Sequence, residues 1–160
     1  MAMTPLERLR IGLVYGAGDL AATSILGTPQ LLRALGIGLV GAVLYAPEIR
    51  AYFAWIERRF AHQPQHCGRW QRAALGWLWF NPLWIARHTW LLRLLEGRIA
   101  DLHTGVLLTG AFSFVCNAPL ALTANYLIQN RLAPPHRVVG SAVFSAMMAV
   151  YYAWSEVWFG

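Results

Sequence analysis

The sequence contains no lysine: all thirteen basic side chains in its 160 residues are arginine. Charge of either sign is scarce, at 12% of residues, and is absent from two long runs, 104–130 and 138–155. Each run is long enough to cross a bilayer as a helix, which takes roughly 20 residues. There are only two cysteines, Cys67 in a polar connection and Cys116 in an apolar run. They lack the paired short spacing of a metal site and leave the redox compartment open. No serine, histidine and carboxylate combination, phosphate-binding loop or pair of carboxylates at useful spacing is present, so no enzyme and no cofactor are expected. No repeat, low-complexity tract or domain boundary interrupts the chain, and residues 1–160 read as a single domain.

What is abundant is apolar surface. Apolar side chains make up 58% of residues and mean hydropathy is +0.44, more than one soluble core of this size can hide. Five apolar stretches stand out: Ile11 to Leu26, Leu32 to Ile56, Ala73 to Leu95, Thr104 to Ile128 and Val138 to Phe159. No period-2 alternation appears, and an open sheet cannot satisfy its backbone in lipid, so all five are expected to be helical. The expectation is an all-α integral membrane bundle of four to five transmembrane helices, the first stretch being short and broken by Asp19. The same residue argues against a cleaved signal peptide behind Arg8 and Arg10.

The net charge of +6 could suggest nucleic acid, but the arginines gather between apolar runs and read as topology signals instead. In a five-span arrangement Arg8, Arg10, Arg58, Arg59, Arg69, Arg72, Arg131 and Arg137 share one side, against Arg33, Arg93 and Arg98 on the other. That bias places the N-terminus on the positive face and Gly160 across the membrane. Trp55, Trp70, Trp154 and Trp158 fall where interfacial aromatics belong.

Small residues recur at helical spacing in Gly12 and Gly16, in Ala34, Gly38 and Ala42, and in Ser141 and Ser145, a pattern that lets helix backbones approach closely. Ionisable groups inside the stretches each cost a few kcal/mol unless paired or wetted, which makes Asp19, Glu48, Arg50 and Arg87 candidates for a pore or gate. An Asp19–Arg50 pair is geometrically allowed, and such groups serve either as the wall of a water-filled path or as a structural ion pair. Arg87 with His88 suits an anion or a proton relay, or Arg87 snorkels. Pro47, Pro82 and Pro119 sit beside Glu48, Asn81 and Asn117 and are candidate bends, because each removes a backbone donor. His62, His66 and Cys67 are split by Pro64 and are not expected to bind metal.

Together these landmarks resemble the Mpv-seventeen family of small mitochondrial inner-membrane and peroxisomal membrane proteins. The resemblance covers nearly the whole chain. It rests on the glycine-rich first helix ending in Gly18 and Asp19, then Arg33, Pro47, Tyr52, Phe53 and Arg58. Phe80, Pro82, Leu95, Glu96 and Gly97 follow, and finally Pro119, Asn125, Tyr126, Pro135, Arg137, Tyr151 and Trp154. The chain departs from the family at Ala21 to Thr23, Ala46, Gly76, Trp77 and Ala118, as a divergent member or a bacterial relative would. The resemblance implies a weakly selective channel or pore for small solutes or ions. It also implies a mitochondrial inner-membrane location, with the peroxisomal or bacterial cytoplasmic membrane as alternatives. Asp19 would be a pore or gating residue, and the three prolines would shape the lumen. Expected partners are the lipid bilayer, small solutes or ions, and a second copy or other membrane proteins, with no nucleic acid. Two rival readings are a non-transporting scaffold or assembly subunit and a small-solute exporter.

Overall fold

A computed structural model describes residues 3–63, 68–95, 97, 111–112 and 114–159. The protein is all-α, with no strand among the described residues. The chain falls into two compact units, one formed by Met1–Arg58 with Pro135–Gly160 and the other by Arg59–Pro134.

The first unit is built on a helical hairpin. Helix α1, Pro5–Ile25, opens on a capping box: the Thr4 hydroxyl accepts from the Glu7 N–H at 3.2 Å while Glu7 accepts from the Thr4 N–H at 2.8 Å. It closes in a Schellman turn around Gly27, whose φ of 75° suits glycine. There the N–H of Thr28 donates to the Thr23 carbonyl and that of Gly27 to the Ser24 carbonyl. The chain then re-enters helix as α2, Leu31–Val40, passes through a wide π turn, Gly41–Tyr45, and continues as α3, Ala46–Arg59.

The wide turn follows from the spacing of the buried residues. Ile37, Gly41, Tyr45 and Ile49 are all buried and lie four apart, so they span twelve residues where three regular turns take about eleven. An i→i+5 bond from the Ala46 N–H to the Gly41 carbonyl takes up the excess and keeps the four on one face. Pro47, which cannot donate, follows directly in the first turn of α3.

α1 and α2 meet backbone to backbone. A Cβ on Gly12 would come within 2.6 Å of the Gly38 carbonyl oxygen and 3.0 Å of the Ala42 Cβ, and one on Gly16 within 3.0 Å of the Ala34 carbonyl oxygen. Beyond the seam the Tyr15 ring lies on Gly41 and packs against Tyr45 with centroids 5.0 Å apart. The last helix of this unit, here α6, Pro134–Phe159, touches α1 where Gly18 meets Ala146 and where the Tyr15 hydroxyl donates to Ser145 Oγ at 3.3 Å. Arg137 pairs with Glu57 at 3.1 Å. A groove of about 540 Å³ between α1 and α6 is lined by apolar side chains, among them Val14, Val143, Met147 and Tyr151.

The capping box yields a pH prediction. The Thr4 backbone N–H, then the Thr4 hydroxyl, hold the Glu7 carboxyl below its ordinary value, with Arg50 and Arg10 adding attraction. A depressed carboxyl contributes stability above its unfolded-chain pKa and loses it as pH falls through the folded value. The start of α1 is therefore expected to fray in acid, read as faster amide exchange across residues 5–10. Thr4→Ala should show that fast exchange already at neutral pH, with a weaker pH dependence.

The second unit pairs α4, Arg69–Leu95, with α5, Ala118–Arg131, in antiparallel register. Ala73 and Ala121 are fully buried. The Trp70 ring packs at a tilt against Tyr126 with centroids 4.7 Å apart, and Trp77 stacks on Phe114 at 4.4 Å. α4 runs through Pro82 as continuous helix, the Pro82 side chain lying outside the described residues. The stretch expected to be one helix from Thr104 to Ile128 is divided instead: residues 114–116 are helical, Asn117 forms a turn, and α5 begins at Ala118. Pro119 thus stands in a first helical turn, where its missing N–H removes no hydrogen bond. Residues 104–110 of that stretch, with Glu96, Arg98, His66 and Cys67, lie outside the described residues.

Candidate functional site

Two buried polar centres stand out, one in each unit. In the first, the Asp19 carboxylate is 4% exposed and is gripped along one edge of a guanidinium: Arg33 Nε donates to Oδ2 at 3.1 Å and a terminal nitrogen donates to Oδ1 at 3.0 Å. Arg33 is itself only 13% exposed. Buried Thr23 braces the same turn, its hydroxyl donating to the Asp19 carbonyl at 3.1 Å and accepting from the Gln30 N–H at 3.3 Å.

This arrangement corrects the Asp19–Arg50 pair. Pairing Gly12 with Gly38 and Gly16 with Ala34 fixes the hairpin register, which sets position 33 opposite 19 and position 50 opposite the start of α1. Arg50 accordingly reaches Glu7, at 3.7 Å, and both of those groups are substantially exposed. The sequence comparison of depths fails because Leu31–Arg59 is 29 residues long against 21 for α1, so its end overhangs its partner.

The remaining sequence candidates are separate from this pair. Glu48 is half-buried in the first turn of α3, and Arg87 is half-buried on α4 beside buried His88. Gly12, Gly16, Gly38 and Ala42 lie together on the α1–α2 seam. Pro47 adjoins the wide turn and Pro119 opens α5, while Pro82 lies inside α4.

The second centre, between α4 and α5, was not singled out for chemistry from sequence. Gln129, 1% exposed, donates from Nε2 to the Arg72 carbonyl at 2.7 Å, and Asn125 donates to the Ala121 carbonyl at 2.9 Å. Both amides fill the space beside Gly76, where a Cβ would collide with Asn125 Oδ1 and lie 2.6 Å from Gln129 Nε2. Three buried polar atoms here have no hydrogen-bond partner among the described residues: Gln129 Oε1, Arg72 Nε and Trp77 Nε1. Each such group is costly in an apolar surrounding. One acceptor and two donors are therefore left over along this helix pair, each a group that water or a small polar solute can satisfy. The available signal is the four-residue spacing of Asn125 and Gln129, which puts two amides on one helix face.

No protein-family profile, curated protein or solved structure matches the chain.

Proposed function

We propose that this chain is an integral membrane protein, a bundle of four to five transmembrane helices that passes small solutes or ions as a weakly selective channel. It would be of the kind that the Mpv-seventeen resemblance implies, with the inner mitochondrial membrane as its location by that resemblance. The observation that supports immersion in lipid is an inverted distribution of polarity. Leu6, Leu9 and Leu13 on α1 and Leu31, Leu32, Leu35 and Leu39 on the next helix are 55–84% exposed, whereas Asp19, Thr23, Asn125 and Gln129 are buried. In water that arrangement leaves a broad apolar surface open, which soluble monomers avoid. In a bilayer it puts leucine against acyl chains and glycine, alanine and amides between helices.

Leu31–Arg59 adds support. It is long and apolar enough to cross a membrane, with a mean hydropathy of 1.4 over its best window, yet only 33% of that window is buried, whereas the core helix of a soluble protein is mostly buried. For the path itself, the leftover hydrogen-bonding groups of Arg72, Trp77 and Gln129 offer the better lining. Asp19 is already neutralised by Arg33.

Purified protein fused into a planar bilayer should conduct on its own, with currents that distinguish weakly between small ions. Silence at every voltage overturns the channel reading. Silence together with a stoichiometric membrane partner after mild extraction would favour the scaffold, which the apolar α1–α6 groove would suit. A reporter fused after Gly160 distinguishes four spans from five.

A further inference from the structure

The end of the second unit where α4 begins and α5 finishes carries positive charge, and the nearest acidic residue before it in sequence, Glu57, is paired with Arg137. Arg59, Arg69, Arg72 and Arg131 lie in segments 59–72 and 114–134, which contain no aspartate or glutamate. The fold draws these segments together. The guanidinium of Arg72 sits 5.1 Å above the Phe60 ring, next to Arg59, and that ring packs on Gly68, whose φ of 77° turns the chain into α4. Gln129 and Asn130 on α5 bond to the carbonyls of Arg72 and Arg69, which sets exposed Arg131 at the same end. Trp70 lies there too, 66% exposed with its ring against Tyr126.

An exposed tryptophan beside a helix start is the amphipathic anchor found at the level of lipid headgroups. Arginines at that level, with no counter-charge in their own segments, complement an anionic lipid phosphate, which a guanidinium can hold through two parallel N–H donors. We propose that this end of the α4–α5 pair is a binding site for an anionic phospholipid headgroup, with Arg59, Arg72 and Arg131 as its charged wall and Trp70 as its interfacial anchor. The inference rests on the membrane reading above and not on channel activity.

Native mass spectrometry of the detergent-solubilised protein tests it, with phosphatidylglycerol and phosphatidylcholine as probes. The protein is expected to retain phosphatidylglycerol in preference. Arg59→Gln with Arg131→Gln, both exposed positions, should lower that preference by about thirtyfold, taking the usual contribution of a basic residue near an anionic surface for each. Arg8→Gln with Arg10→Gln, in the other unit, should leave it unchanged. Equal retention of the two lipids by the unaltered protein overturns the site, as does an equal loss from both double variants. Competition by millimolar inorganic phosphate also overturns it, since the site would then read free phosphate. Lipid preference with silent bilayers removes the channel and leaves this site standing, whereas a chain monodisperse without detergent removes the membrane reading and the site together.

Discussion

Arg33→Leu is expected to destabilise the protein by about 3–5 kcal/mol, the usual cost of removing one partner from a buried ion pair. The substitution leaves the Asp19 carboxylate 4% exposed with both oxygens stripped of their donors. The loss should appear as a lower unfolding midpoint in detergent, followed by the helical signal. Arg33→Met combined with Asp19→Leu should recover most of it, because apolar groups of similar size replace a buried pair at little net cost. If Arg33→Leu changes stability by less than about 1 kcal/mol, the pair is not the lock of the hairpin turn.

The second large effect is expected along the α1 glycines, and its ranking is as informative as its size. Gly12→Ala drives a methyl toward the Gly38 carbonyl oxygen at 2.6 Å, and Gly18→Ala drives one toward Cβ and Cα of Ala146 at 2.6 and 2.8 Å. Neither neighbour is the far end of a flexible side chain, so the helices must separate, at about 1–3 kcal/mol each. Gly16→Ala meets its nearest atom at 3.0 Å, and alanine favours helix by up to about 1 kcal/mol over glycine, so its net effect should be near zero. Unfolding midpoints of the three variants under one condition check this order. Equal losses at all three positions would mean that glycine serves backbone flexibility there instead of close approach.

The parts of the architecture that are legible in sequence are those set by spacing along one helix. The four-residue rhythm of Gly12, Gly16 and of Ala34, Gly38, Ala42 marks the seam because small residues are what allow contact at that distance. The pairing of Asp19 was harder, because it depends on register between helices. Arg33 lies fourteen residues on, across a turn at Gly27, and only a tightly closed hairpin brings it back. Depth counted from charged ends pointed to Arg50, which the overhang of the longer helix carries to Glu7 instead. Pro119 is ambiguous in sequence for a related reason, since one proline serves equally as a bend within a helix or as the opening of a new one, and here it follows a one-residue turn with helical residues on either side. The buried amides of α5 were legible as polar residues in an apolar stretch, but their meeting with Gly76 depends on which face α4 turns toward them.

The wide turn at Gly41–Tyr45 has an evolutionary corollary. It amounts to one residue inserted into an otherwise regular helix, and an insertion rotates everything downstream by about 100°. Ala34 and Ile37 before it and Tyr52 and Phe53 after it are all buried, so both faces are fixed. A homologue that keeps both faces on a regular helix must therefore be one residue shorter between the positions of Gly38 and Ile49, and its alignment to this chain should carry a single-residue gap inside an uninterrupted helix.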